Sequence, residues 1–236
     1  MTTRSSALII LQARMGSRRL PGKVLAPVAG WPLVEYCLAR LQASGVGEVV
    51  LATTTDAEDS ALVALGKRVG VPTVTGPGAD VLGRFAQVLE GWPEATLILR
   101  ATAENPFVDM DAPARILRAL ADGADYAVEE GLPLGAAVEG VRREVLLQAH
   151  REAAAPYDRE HVTPWVTRAD RCLRVAPGAP AHVRAPDLRL TVDTAHDLAC
   201  VRRLADGLTA AGGDPRLAPL AQVIDVARHG AIQEVA

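Results

Sequence analysis

The run ALIIL at Ala7–Leu11, followed at once by QARMGSRRLPGKVL at Gln12–Leu25, is the stretch that decides the fold. Five consecutive apolar residues bounded by polar ones read as a strand covered on both faces, because a one-sided strand would alternate. The segment after it is rich in Gly, Arg and Pro and reads as a loop. Beyond the loop, Pro32–Gln42 places Leu33, Cys37, Leu38 and Leu41 at helical spacing, and Gly45 ends that helix. The same alternation then repeats. Glu48–Thr53 is a strand. Thr55 or Asp56 caps a helix over about Glu58–Val69, and Val71–Val74 is a short strand. Asp80 is placed as N-cap of a helix reaching about Glu90. Thr96–Arg100 is another buried strand, and Asp111 opens a helix to about Ala121. Strand–helix alternation with such apolar strands predicts a parallel, doubly wound α/β sheet.

After Asp125 the elements shorten. Tyr126–Glu130, Ala136–Arg142, Cys172–Val175 and Leu188–Val192 read as strands. Arg143–Ala153, Thr194-capped residues to about Leu208, and Leu217–Arg228 read as helices. Tyr157–Ala169 is polar and mixed, and Ala176–Asp187 is a Pro-rich surface connection. No flexible linker separates two units. The expected organisation is a single domain whose core comprises residues 1–125 and 186–236, with a small β-containing lobe over 126–185.

Composition narrows the function class. Hydrophobic residues make up 49% and charged residues 22%, which excludes a wholly disordered chain. A net charge of −3 argues against a general nucleic-acid binder, and no basic stripe interleaved with aromatics is present. No apolar run approaches the roughly 20 residues of a membrane span. The opening MTTRSSALIILQAR is too short in apolar residues for a secretory signal, so the expectation is a cytoplasmic protein without membrane partners. Cys37, Cys172 and Cys200 form no CxxC pair and read as small buried residues. His150, His182, His196 and His229 show no metal spacing, and Glu129–Glu130 reads as a solvated turn.

Positive charge is local rather than general. Of 25 basic residues only Lys23 and Lys67 are lysine, and Arg4, Arg14, Arg18, Arg19 and Lys23 all precede the first acid, Glu35. Such a field in an acidic chain suits a small anionic ligand. In a doubly wound sheet, loops after the strands' carboxyl ends form the ligand crevice. In this loop Gly16 and Gly22 permit close backbone approach, Ser17 offers a hydroxyl and backbone donors, and Arg14, Arg18 or Arg19, and Lys23 supply charge. A triphosphate needs that combination. The loop is not a Walker loop, since Val24 follows Gly22–Lys23 and the Gly16–Gly22 spacing is one residue too long. A merely solvated basic loop is the competing reading.

The Gln12–Leu25 stretch resembles the N-terminal motif of the cytidylyltransferases that activate acidic sugars, the CMP-Kdo and CMP-acylneuraminate synthetases. It is most similar to the branch named for spore-coat polysaccharide biosynthesis protein F. DVLGRF at Asp80–Phe85, RATAENPFVD at Arg100–Asp109, DREHVTPW at Asp158–Trp165 and LRLTVDTAHDL at Leu188–Leu198 resemble the same branch in the same order, so the resemblance covers nearly the whole chain.

The resemblance implies a Rossmann-like nucleotide-diphospho-sugar transferase fold, a homodimer, Mg²⁺ as cofactor, and transfer of CMP from CTP to a small acidic sugar with release of pyrophosphate. Residue by residue, it implies triphosphate contacts from Arg14, Ser17 and Lys23 and cytosine contacts near Ala13 and Arg14. Gly16, Arg19, Arg84 and Thr102 join the nucleotide pocket, with Lys23 and Arg14 in catalytic roles. Glu104 and Asp193 match the two metal carboxylates, Asp193 lying at the end of the strand over Leu188–Val192. Glu139, Arg159, Glu160, His161 and Thr163 face the acceptor or a dimer partner, His161 being either a base or a structural histidine.

Two positions depart from the family pattern. Relatives carry Asp where this chain has Glu104, and the extra methylene carries the carboxylate about 1.5 Å further. The expectation is that the loop has adjusted, that Asp109 or water assists, or that activity is reduced. Thr102 stands where some relatives have a Gln near the nucleotide, which leaves base selectivity open. Two alternatives stand beside the leading one: a nucleotidyltransferase using another nucleotide or acceptor, and a non-catalytic nucleotide-binding homologue.

Overall fold

The computed structural model describes residues 6–233, with side chains through 229. Its centre is β1, Ala7–Gln12. Alternate residues of a strand point to opposite faces. Accordingly Ile9 and Leu11 enter one hydrophobic core while Leu8 and Ile10 enter a second core on the other side. The all-apolar run is thus explained by burial on both faces, as expected.

On one side β1 pairs in parallel with β4, Glu48–Thr54, which pairs with β5, Thr73–Gly76. On the other it pairs in parallel with β6, Leu97–Thr102. The two-residue strands β2, Pro27–Val28, and β3, Trp31–Pro32, form a separate hairpin. Beyond β6 the sheet continues through β8, Glu139–Arg142, then β7, Tyr126–Val128, and β9, Arg174–Val175, in the order β5-β4-β1-β6-β8-β7-β9. Only β8 runs against its neighbours. The later strands therefore extend the same sheet.

Helices cover both faces. The core holding Ile9 and Leu11 receives α1 (Leu33–Ala43), α2 (Ser60–Val69), α4 (Ala112–Ala121), α8 (Ala195–Ala210) and α9 (Leu220–Gln233). The opposite core receives α3 (Val81–Gly91), α5 (Arg143–Glu152), and Val162 and Val166 from around α6 (Pro156–His161) and α7 (Pro164–Arg168). Asp80 caps α3 as expected, accepting from the Gly83 N–H at 2.8 Å. Thr194 caps α8 in a reciprocal capping box with Asp197.

Several expectations are corrected. Leu188–Val192 is extended and largely buried but is not a strand of the sheet: the free edge of β6 is taken by β8. The segment instead bonds to loops, Leu190 N–H to Leu134 O and Val192 N–H to Glu104 O, both at 2.8 Å. Neither Thr55 nor Asp56 caps α2 through its side chain; a 3₁₀ turn, Ala57–Asp59, precedes that helix. The connection 176–187 is not wholly superficial, since Ala179, Val183 and Ala185 are buried. Glu129 is buried against Arg115, not solvated. Cys37 and Cys172 are buried as expected, whereas Cys200 is half-exposed beside His196 and Arg203. No helix among the described residues is long and apolar enough to cross a membrane.

Candidate active site

From β1 the chain moves outward to β4 and β5, then returns to β6 on the other side of β1. That reversal is the topological switch point, where open α/β sheets form their crevice. A cleft of about 300 Å³ lies there. Its floor is the carboxyl ends of β1 and β6, where Gln12 and Thr102 are register partners. Of the residues picked from sequence, Ala13, Arg14, Ser17, Arg19, Lys23, Arg84, Thr102, Glu104, Glu160, His161 and Asp193 line it. Arg18, expected as an alternative to Arg19, lines it as well, and Arg100 adds a further cation. Gly16, Glu139, Arg159 and Thr163 do not line it, and Arg4 lies outside the described residues.

The loop after β1 folds around one carbonyl. Met15 O accepts from Ser17 N–H at 2.8 Å and from Gly22 N–H at 3.0 Å. Gly22 adopts φ 70°, a conformation that favours glycine, and from there the chain enters the 3₁₀ turn Lys23–Leu25. The loop is tied down by Asp59, which sequence reading missed. This buried carboxylate accepts from Met15 N–H at 2.7 Å, Thr53 Oγ1 at 2.9 Å, and Thr54 N–H and Oγ1 at 3.0 and 2.6 Å. Burial would raise its pKa, but these donors outweigh it and hold the carboxyl below the usual range.

Lys23 joins the two candidate metal carboxylates. Only 7% of its side chain is exposed, and its ammonium donates to Val192 O at 2.6 Å while sitting 3.1 Å from Glu104 Oε2 and 3.3 Å from Asp193 Oδ1. Asp193 Oδ1 also pairs with Arg19 at 2.7 Å, and Oδ2 with Arg189 at 2.7 Å. Burial pushes the Asp193 carboxyl up; the charge of Lys23 and hydrogen bonds from Lys23 and Arg189, with Arg19 beyond, pull it below the ordinary range. Asp193 reaches the cleft from the extended segment, not from a strand end.

Arg84 is buried in the cleft wall. Its guanidinium donates to the carbonyls of Pro77 and Gly78 at 2.6 and 3.1 Å, and its Nε has no protein partner. Gly76 makes room for it: a Cβ there would stand 2.8 Å from Arg84 Cγ. Burial, reinforced by the charge of Arg14, lowers its pKa. Arg84 thus brings to the cleft wall a positive charge that is hydrogen-bonded to backbone carbonyls.

Among the other acceptor candidates, Glu139 and Arg159 spend their charges within the protein, away from the cleft lining. Glu139 accepts from Tyr126 OH at 2.6 Å, from Thr163 Oγ1 at 2.8 Å, and from Arg100. Burial first, then the charge of Glu139, raises the Tyr126 pKa. Arg159 is paired with Asp80 and donates to His150 O at 2.6 Å. Glu160 pairs with Arg14 at 2.9 Å, and exposed His161 packs on the Tyr157 ring. Between them and Thr163, Val162 forms a strained γ-turn with φ 72°, closed by Thr163 N–H to His161 O at 2.8 Å.

Asp109 does not assist a metal: it is buried and ion-paired with Arg115. Among the described residues no group of three or more His, Cys, Asp or Glu forms a metal site. Glu104 and Asp193, converging on one ammonium, fit a cation that takes one or two protein carboxylates and completes its shell with substrate oxygens and water, the habit of Mg²⁺.

A sequence profile of the family described as Cytidylyltransferase matches residues 8–209. The chain is 35% identical over 205 residues to the spore coat polysaccharide biosynthesis protein SpsF of Bacillus subtilis (strain 168), covering 84% of this chain and 85% of that one. It superimposes on a cytidylyltransferase from Leptospira borgpetersenii with TM-score 0.86 at 22% identity, covering 97% of this chain and 96% of the other. It superimposes on a CMP:2-keto-3-deoxy-manno-octonic acid synthetase complexed with CTP with TM-score 0.64 at 20% identity, covering 86% and 99%. At these identities the two structures establish the α/β fold.

Proposed function

This chain belongs to the cytidylyltransferase family, and on that premise we propose that it transfers CMP from CTP to a small acidic sugar, with Mg²⁺, in surface-polysaccharide or glycan biosynthesis. The observation that carries the reading is the convergence of Lys23, Glu104 and Asp193 at the switch-point cleft, beside a loop that brings Arg14, Arg18 and Arg19 to the same cleft. The relative named for spore-coat polysaccharide and the CTP-bound structural neighbour supply the pathway class, the nucleotide and the acidic acceptor.

In the proposed reaction a sugar oxygen attacks the α-phosphorus of CTP in line. The new sugar O–P bond forms as the bond to the bridging oxygen breaks, and the electron pair leaves with pyrophosphate. Little covalent work falls to the protein, so the rate rests on geometry and preorganised charge. The Ser17 region and Gly22 hold the loop that receives the phosphates. Lys23, Arg14, Arg19 and Arg84 face the negative charge. Ala13 and Thr102 line the end nearest the base. Glu160 and His161 stand at the acceptor end, where either can take the sugar hydroxyl's proton. Glu104 and Asp193 would hold Mg²⁺, which when bound neutralises phosphate charge. The longer Glu104 side chain still reaches the ammonium that Asp193 touches, which favours a working metal site over a non-catalytic homologue.

The same reading places the protein in the cytoplasm as a homodimer, with residues 126–185 serving the acceptor and the partner subunit. It is tested by pyrophosphate release from each nucleoside triphosphate in the presence of 2-keto-3-deoxy-manno-octonic acid or a neutral hexose, with and without Mg²⁺. Release only with CTP, the acidic sugar and Mg²⁺ is expected. Equal release with UTP or GTP, or with the neutral sugar, would overturn it.

A further inference from the structure

The two oxygens of Asp193 face different neighbours. Oδ1 meets the cleft cations, Lys23 at 3.3 Å and Arg19 at 2.7 Å. Oδ2 points away from them and accepts from Arg189 at 2.7 Å. Arg189 is itself held, because its Nε donates to Asp197 Oδ1 at 2.9 Å. Asp197 closes the loop from the other side: its Oδ2 accepts the backbone N–H of Asp193 at 2.9 Å and that of Thr194 at 2.8 Å. One carboxylate on the first turn of α8 thus anchors both the main chain of Asp193 and, through Arg189, its side chain. Neither Arg189 nor Asp197 lines the cleft.

We propose that Arg189 and Asp197 are positioning residues that orient Asp193 and reserve its Oδ2, so that the carboxylate offers a single oxygen to the divalent cation. This rests on the reading of Glu104 and Asp193 as the metal carboxylates. Single-oxygen ligation suits a small octahedral ion such as Mg²⁺ or Mn²⁺; Ca²⁺ more readily takes both oxygens of a carboxylate. The clamp is therefore a device for cation choice as well as for geometry. The fork of Arg189 spans two acids through separate nitrogens, which a lysine ammonium cannot reproduce.

The test is Mn²⁺ titration of the full chain with CTP, read by the electron paramagnetic resonance of free Mn²⁺, with Ca²⁺ as competitor. Arg189→Met is expected to weaken Mn²⁺ binding by about 10–100-fold, the usual scale for an outer-shell partner, and to narrow the preference for Mn²⁺ over Ca²⁺. Asp197→Asn, which can still accept the two backbone N–H groups, is expected to do the same to a smaller degree. Arg189→Lys should fail to rescue. Thr209→Ala is the control on the same helix: it removes the Oγ1 bond to Ala205 O, lies about 18 Å along α8 from Asp197, and leaves Mn²⁺ affinity within twofold. Mn²⁺ affinity unchanged in Arg189→Met, or weakened equally by Thr209→Ala, would overturn the positioning role. Absence of CTP-dependent Mn²⁺ binding in the unaltered chain would instead overturn the metal site itself, and the clamp's role with it.

Discussion

The cleft and the region away from its lining use the same residue types to opposite effect. In the cleft, Lys23, Arg19, Glu104 and Asp193 meet in one shared cluster. Away from its lining, Glu139 is surrounded by Arg100, Tyr126 and Thr163, and Arg159 by Asp80 and the His150 carbonyl. Charge in the first place meets at the cleft surface, and in the second it holds β6, β7, β8 and α6 together. The lesson is that a charged residue in a family motif has to be judged by what already satisfies it. By that criterion exposed His161, and Glu160 through its half-exposed pair with Arg14, keep chemistry to offer in the cleft, whereas Glu139 and Arg159 are committed away from it.

The comparison is sharpened first at Lys23. Lys23→Ala removes the ammonium shared by Glu104 and Asp193 and leaves the two carboxylates without it. A loss of about 10²-fold or more in kcat is expected, as for one preorganised donor, and steady-state kinetics with less than a threefold change would break the triphosphate assignment. Next comes the loop anchor. Asp59→Ala strips four hydrogen bonds from a buried carboxylate and should cost about 2–4 kcal/mol in urea unfolding. Because the folded pKa of Asp59 lies below its unfolded value near 3.9, its contribution is present above about pH 4 and is lost as the pH falls through the folded value. Melts from pH 6 to pH 3 should fall less steeply for Asp59→Asn than for the unaltered chain.

Glu139→Gln tests the region away from the cleft lining. Arg100 and Glu139 are partly shielded, so the loss should be about 1–3 kcal/mol of stability, with CTP affinity changed far less than in Lys23→Ala. An unchanged Tm with a raised KM for the acidic sugar would show that Glu139 touches the acceptor after all. The smallest effect belongs to Glu160→Gln. The Arg14–Glu160 pair is about 40% exposed on both sides, and such pairs contribute at most about 1 kcal/mol. Tm should barely move, while the acceptor KM rises.

The fold was legible where the information is local. The apolar run of β1, the spacing in α1, the Asp80 cap and the Thr194 cap each declare themselves within a few residues. The cleft was legible for a related reason, since its loop follows β1 directly. What escaped depends on segments far apart in the chain. Asp59 reaches Met15 across 44 positions and carries no local mark beyond lying four residues after the threonine run that ends at Thr55. Leu188–Val192 has the alternation of a strand, yet its place beside β6 is taken by the antiparallel β8. Glu129 reads as half of an exposed acid pair, and only the turn of α4 that brings Arg115 over it shows that it is buried. The resemblance named the acceptor residues but could not say which were already committed to one another.

The central claim is that the loop after β1 and the Lys23–Glu104–Asp193 cluster form a metal-assisted CTP site. The most direct test is the thermal unfolding of the unaltered chain and of Lys23→Ala with CTP, UTP, GTP, ATP or dTTP, each with and without Mg²⁺. A ligand at 100 times its Kd stabilises by about 2.7 kcal/mol, roughly 5–10 °C for a domain of this size. The account predicts a Mg²⁺-dependent rise of that order for CTP alone, abolished or greatly reduced in Lys23→Ala. No shift with any nucleotide, or equal shifts in the two proteins, would contradict it.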